Sequence, residues 1–175
     1  AVVGLRADLP PGTSVEVDQF VDRTFARDKS FFGTGLVAHV SLARPVCARL
    51  GEHVTTGLAA LGVPLARGGT YLAMEGPQFS TLAESQLYRS WNCDVIGMTN
   101  MPEAKLAREA EICYASVAMV TDFDCWHPAH DAVTVEAIIR VLLGNAQTAR
   151  TLVAGLARYG LGVDFDFYHV GRDGE

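Results

Sequence analysis

Residues 112–120, "ICYASVAMV", are apolar at nearly every position, and such a run fits a strand buried on both faces, which needs helices on either side of its sheet. "DVIGMT" (94–99) repeats the pattern in a shorter form, and "GGTYLAMEG" (68–76) reads as a third strand. "TSVEVDQFV" (13–21) alternates apolar and polar residues as a half-buried strand does, and "GLVAHVSL" (35–42) is a further strand candidate. Between those two lies "DRTFARDKSFFGTG", a long loop rich in charge and aromatics. Helix patterns separate the strands. One opens at Pro45 and runs to about Leu61, stopped by Gly62 and Pro64; others span 80–91, 102–110 and about 134–159. Thr81 and Glu84 have the spacing of a capping box, in which each side chain satisfies the other residue's backbone N–H. Strands alternating with helices predict an α/β sheet covered on both sides, folded as one domain.

Composition narrows the function classes. With 175 residues, 49% of them hydrophobic, the chain has enough apolar surface for one core. Its net charge is −6 and its fourteen basic residues are scattered, so nucleic acid is not an expected partner. No apolar run reaches the length of a membrane span and the first residues do not read as a signal peptide, so the expectation is a cytoplasmic protein without membrane contact. The four cysteines are widely spaced and free of any CxxC pattern. They read as reduced thiols, neither a disulfide framework nor a metal site.

Three strand ends turn polar: "MEGPQFS" (74–80), "GMTN" (97–100) and "VTDFD" (120–124). In α/β sheets, ligands bind where loops converge beyond the carboxyl ends of strands. These ends would supply an aromatic face in Phe79, hydroxyls in Ser80, Thr99 and Thr121, and two acids in Asp122 and Asp124, a set suited to a flat hydrogen-bonding ligand better than to a metal. Plainer readings stand beside this one. An Asp-x-Asp at a strand end also serves as a cap or solvated turn, and Phe79 and Met98 also serve as core filling. "HPAHD" (127–131) brings histidines near acids, but Pro128 breaks the helical spacing and no third zinc ligand is set by the pattern. Cys125 has no histidine base at a diagnostic spacing and reads as a small buried residue.

The long stretch "MEGPQFSTLAESQLYRSWNCDVIGMTNMPEAKLAREAEICYASVAMVTDFDCWH", with "DQFVDRT" and "HVSLARPVC" before it and "AVTVEAIIRVLLGNAQTAR" after it, resembles the 5′-methylthioadenosine phosphorylases of the trimeric purine nucleoside phosphorylase family. The resemblance covers nearly the whole chain and lapses only in the tail, "LGVDFDFYHVGRDGE". It implies a three-layer fold with a mixed central sheet flanked by helices. It also implies phosphorolysis in purine and methionine salvage: phosphate attacks C1′ of the thioribose and adenine leaves, with inorganic phosphate as co-substrate and no cofactor or metal. Phe79 would stack on the purine beside Ser80, and Met98 would pack under the ribose. Thr99 would donate to phosphate, aided by the helix starting near Pro102, with Ala1 in the same phosphate set. Asp122 and Asp124, with Phe123 between them, would face the purine's N7 and 6-amino group. Negative charge builds on the leaving base, and Asp122 is the candidate for holding or delivering the proton at N7, a role worth about 10²–10⁴ in rate. Val133, Val135 and Ile138 would wall an apolar methylthio pocket, with His39 reaching in from a neighbouring subunit of a homotrimer.

The resemblance also sets the alternatives. Relatives that act on 6-oxopurines carry glutamate where this chain has Ser80 and asparagine where it has Asp122. Ionised acids only accept hydrogen bonds, so they suit a 6-amino group, which donates. A phosphorylase for methylthioinosine or other purine nucleosides is the second reading, and a nucleoside-binding fragment without catalysis is the third. Family members carry a phosphate loop, an Arg-His pair and a phosphate-binding threonine ahead of the position matched by Ala1. The 175 residues are therefore expected to be the C-terminal major part of one such domain.

Overall fold

Two stretches of chain, 14–23 and 65–74, lie side by side in one parallel register from end to end, Ser14 opposite Leu65 and Arg23 opposite Met74. Both bend midway. Asp18 interrupts the first and Gly68–Gly69 the second, and the N–H groups of Asp18 and Gln19 both donate to the Gly69 carbonyl, at 3.1 and 3.4 Å. Gly68 takes φ +70°, a conformation that costs glycine nothing.

The computed structural model describes residues 1–128 and 134–158. Its strands are β1 (Val2–Gly4), β2 (Ser14–Val17), β3 (Gln19–Arg23), β4 (Leu65–Arg67), β5 (Thr70–Met74), β6 (Val95–Gly97) and β7 (Ser116–Phe123). Its helices are α1 (Ala48–Ala60), α2 (Leu82–Ser90), α3 (Glu103–Glu109) and α4 (Val135–Arg158). The sheet order is β3-β5-β6-β1-β7-β2-β4. The two bent stretches thus place β3 and β5 at one end of the sheet and β2 and β4 at the other, so the sheet curls back toward itself.

The curl separates an inner from an outer face. Inside, Val2, Val15, Val17, Tyr71, Ala73, Val95, Ala118 and Val120 pack with Leu9, Met101 and Ala104 in one core. Outside, α2 lays Tyr88 near Leu72 and Ile96. At the other end α1 and α4 meet through Val54, Leu58 and Leu152, over Leu65 and Val117. Val54 and Leu58 stand one helical turn apart, the spacing that turns both toward the same neighbour. Burying a side chain such as Leu58 or Ile96 contributes about 1.5–3 kcal/mol, and these layers carry most of that gain. The result is a three-layer, single-domain α/β fold with a mixed central sheet, as the resemblance implies.

The capping box of α2 forms as the spacing predicts: Glu84 N–H donates to Thr81 Oγ1 at 3.2 Å and Thr81 N–H to Glu84 Oε2 at 2.8 Å. The expected strand at 35–42 does not form. That segment crosses the surface with Leu36, Val37 and Val40 exposed. It is tied down by side-chain donors instead, Gln19 to the Ala43 carbonyl and Arg108 to the Ser41 carbonyl. It is rich in apolar residues, but none of the described strands runs beside it to complete a ladder. The three-residue strands β1 and β4 are too short to leave a period in the sequence. β7 begins four residues later than the apolar run and ends at Phe123, so Asp122 lies within the strand rather than beyond it.

Candidate active site

A break in register sets the site. β1 pairs in parallel with β7, Val2 opposite Val120 but Val3 opposite Asp122, so one residue of β7 is bulged out at Thr121. Residues opposite one another share a face, and a one-residue shift sends a side chain to the other side of the sheet. Val120 points into the inner core with Val2. Without the bulge Asp122 would follow it there; with the bulge it joins Val3 and Ile96 on the outer face, where α2 lies. Thr121 closes the bulge by donating its hydroxyl to the Val2 carbonyl at 3.1 Å.

Both acids are nearly sealed, Asp122 at 4% and Asp124 at 3% exposure. Asp122 Oδ1 accepts the Phe123 N–H at 2.8 Å, which fixes the carboxylate plane. Asp124 N–H donates to the Gly4 carbonyl at 3.0 Å, and the Trp126 indole N–H donates to that same oxygen at 3.0 Å. Trp126 lies under the Arg89 guanidinium, 3.7 Å from the ring centroid, and His127 stacks flat on Phe123 at 4.1 Å. The turn after β7 is therefore rigidly held.

The loop 75–81 closes over this turn from the other side. Cys125 Sγ donates to the Ser80 carbonyl at 3.5 Å, and burial followed by the charge of Asp124 pushes its thiol pKa up, which suits a packing role and not a nucleophile. Two buried polar atoms here have no partner among the described residues, Ser80 Oγ and Asp124 Oδ2, while the buried Ser85 hydroxyl adjoins the Cys125 thiol. Leaving such an atom unpaired costs about 1–3 kcal/mol each, which a bound donor or acceptor would recover. Phe79, next to Ser80, is 75% exposed, which removes the core-filling reading and leaves an open aromatic face.

Met98 and Thr99 stand across β1. β6 runs antiparallel to β1 while β7 runs parallel to it, so the ends of β6 and β7 leave the sheet in opposite directions. The three polar strand ends do not share one edge as expected, because the rule for parallel sheets fails once the sheet is mixed. Two strand spacings and two residues separate Asp122 from Met98, roughly 12 Å between Cα atoms. Continuing the β1–β6 register puts Ala1 opposite Met98, beside Thr99. Met98 packs against Gly76, whose φ of +70° and missing Cβ let the methionine sulfur approach. Thr99 is exposed. The first turn of α3 carries Glu103, whose charge opposes an anion there, and the Ala104 N–H is taken by the Asn100 carbonyl at 3.0 Å.

Of the expected apolar wall, Ile138 is half-buried on α4, which packs on β7. Val135 opens α4, and Val133 lies outside the described residues, as do His130 and Asp131. His39 is exposed on the segment between β3 and α1 and makes none of these contacts.

Sequence reasoning passed over Arg27. Its guanidinium donates to the carbonyls of Met74, Glu75 and Met101, pinning the end of β5 to the chain after β6. Glu75 in turn accepts the N–H groups of Phe25 and Ala26, at 2.7 and 3.2 Å. No signal in the sequence singled it out, because Arg23, Asp28 and Lys29 stand within four residues of it in the same charged loop.

Residues 1–158 match the family model of the phosphorylase superfamily. The S-methyl-5′-thioadenosine phosphorylase of Rhodospirillum rubrum is 72% identical over 156 residues, an alignment covering 89% of this chain and 53% of the relative. That of Bradyrhizobium diazoefficiens is 67% identical, over 87% of this chain and 53% of the relative. Among solved structures, a methylthioadenosine phosphorylase from an antarctic soil metagenomic library superposes with a TM-score of 0.83 at 46% identity, covering 90% of this chain and 57% of that one. Methylthioadenosine phosphorylase from Schistosoma mansoni in complex with adenine gives 0.80 at 30% identity, over 87% of this chain and 60% of that one. The chain spans about half the length of the curated relatives it matches. It belongs to the phosphorylase superfamily.

Proposed function

We propose that the full-length protein carries out phosphorolysis of 5′-methylthioadenosine, releasing adenine and 5-methylthioribose 1-phosphate. The observation that carries this reading is the acid pair: two buried aspartates on the outer face, one of them with an oxygen that no described residue satisfies. A carboxylate can only accept, and it meets a 6-amino group as donor; a 6-oxo group would face it with another acceptor. Asp122 is the group that holds or delivers the proton at N7 as charge develops on the leaving base. Phe79 stacks on the base, with Ser80 and Phe123 beside it, and Asp124 faces the amino group. Met98 lies under the ribose and Thr99, with Ala1, meets phosphate. The span from Asp122 to Met98 suits a purine joined to a pentose. The similarity to S-methyl-5′-thioadenosine phosphorylases supports the same substrate.

The reading extends to a homotrimer acting in the cytoplasm in purine and methionine salvage. Its support is the exposed apolar loop, with Phe25 at 76%, Phe31 at 65% and Val37 at 77% exposure, too much aromatic and aliphatic surface to leave in water. His39 on that loop would reach a neighbour's methylthio pocket, walled by Val133, Val135 and Ile138. The deciding experiment is turnover of methylthioadenosine with phosphate by the full-length protein, followed by adenine release. Absence of adenine at saturating phosphate would sink the proposal. A higher kcat/KM for methylthioinosine would replace it with the oxopurine reading.

A further inference from the structure

Tyr71 lies wholly inside the curl at 0% exposure, its ring edge-on to Phe20 at 5.8 Å. It is paired with Val95, and its ring extends along β6, past Gly97, to Thr99 just beyond the strand. The phenol oxygen is 3.2 Å from the Thr99 amide nitrogen and 3.1 Å from Thr99 Oγ1. A Cβ at position 97 would collide with that oxygen, so glycine there is what lets the phenol through.

The direction of the hydrogen bonds follows from burial. The Thr99 N–H can only donate, so Tyr71 Oη accepts it. The phenol's own proton is buried and needs an acceptor, and among the described residues Thr99 Oγ1 is the one within reach. Once Oγ1 accepts from Tyr71, the threonine's proton is directed away from the core, on a residue that is exposed. A hydroxyl held this way presents a donor and favours an anion.

We propose that Tyr71 is a positioning residue for phosphate: it orients the Thr99 hydroxyl as a fixed donor toward the oxyanion. This rests on Thr99 being a phosphate contact, as proposed above. Tyr71→Phe in the full-length protein keeps the ring and deletes only the hydroxyl. The expected result is a KM for phosphate raised about five- to tenfold, as for one lost hydrogen bond, with the nucleoside KM and kcat at saturating phosphate changed less than about twofold. Inorganic phosphate alone should also raise Tm less in the variant than in the wild type. Added to Thr99→Val, Tyr71→Phe should change the phosphate KM no further. Equal stabilisation of wild type and Tyr71→Phe by phosphate overturns the proposal, whether or not nucleoside is cleaved. A matching rise in nucleoside KM overturns it too, because general loosening of the core moves both. If Thr99→Val leaves the phosphate KM unchanged while cleavage proceeds, the Thr99 assignment falls and this proposal with it. If phosphate stabilises the wild type more than the variant but no nucleoside is cleaved, the reaction assignment falls and the role of Tyr71 stands.

Discussion

Asp122→Asn isolates the chemistry of the base from the fold. The two side chains have the same shape, and Asp122 Oδ1 is held by the Phe123 N–H at 2.8 Å. That N–H accepts no hydrogen bond, so an asparagine at 122 must put its carbonyl oxygen there and its NH₂ group where the second carboxylate oxygen had been. The backbone therefore decides the amide's orientation, and a position that offered an acceptor becomes a double donor. For adenine this removes the proton at N7 and faces the 6-amino group's surroundings with another donor. A hydrogen bond involving a charged partner is worth about 1.5–3 kcal/mol, which corresponds to roughly 10- to 150-fold in kcat/KM. Loss of general acid help alone is typically about 10²-fold or more. The expectation is a fall of at least about tenfold in kcat/KM for methylthioadenosine, with the ratio of methylthioinosine to methylthioadenosine shifted upward. Steady-state kinetics on both substrates measure it, with Tm as a control for folding. An unchanged substrate ratio would refute the assignment of Asp122 to the base, and a large fall in Tm with equal losses on both substrates would show that the residue is structural.

Other outcomes follow from the same contacts. Arg27→Leu removes donors to three carbonyls, those of Met74, Glu75 and Met101, and at about 1 kcal/mol each should destabilise the protein by about 3 kcal/mol in urea melts, with early proteolysis near residues 24–32. Acid should destabilise the fold through Glu75 and Asp22, whose carboxyls are both held below their usual values. For Glu75 the main cause is donation by the Phe25 and Ala26 N–H groups; for Asp22 burial opposes the shift but Lys105 and Thr24 together outweigh it. Groups with depressed folded pKa values stabilise above their unfolded pKa values, here 4.5 and 3.8, and lose that contribution as pH falls through the folded ones. Tm should therefore drop progressively below about pH 4.5, and Lys105→Met should flatten the lower part of the curve. Cys93, buried and with its thiol pushed up to about 11, should resist iodoacetamide in the native protein at pH 8 while exposed Cys113 is modified first; mass spectrometry of the alkylated peptides reads the order.

The sites that sequence reasoning reached are those whose signal is local. The α2 start was legible because a capping box is complete within four residues, Thr81 to Glu84. β7 was legible from its unbroken apolar run and α4 from the length of its helical pattern, though the strand's true end at Phe123 was not. The strand expected at 35–42 failed because a short apolar run does not by itself make a ladder, which also requires a neighbour with free backbone groups. Tyr71 and Arg27 were missed because nothing within a few residues of either states which distant carbonyl or hydroxyl it will meet.

The sequence by itself determined the fold class and the chemistry at the strand ends: acids at 122 and 124, an aromatic at 79 and a hydroxyl at 99. Tertiary structure alone decided where those groups point. The 14–23 and 65–74 stretches share one register only because their bends at Asp18 and Gly68–Gly69 coincide in space. The direction of β6 relative to β1, and the slipped register that turns Asp122 out of the inner core, depend on which strand lies next to which. The physical reason is range. Helical and strand periods arise from residues a few positions apart, whereas pairing direction, bulges and the reach of Tyr71 past Gly97 depend on pairing between segments far apart in the chain.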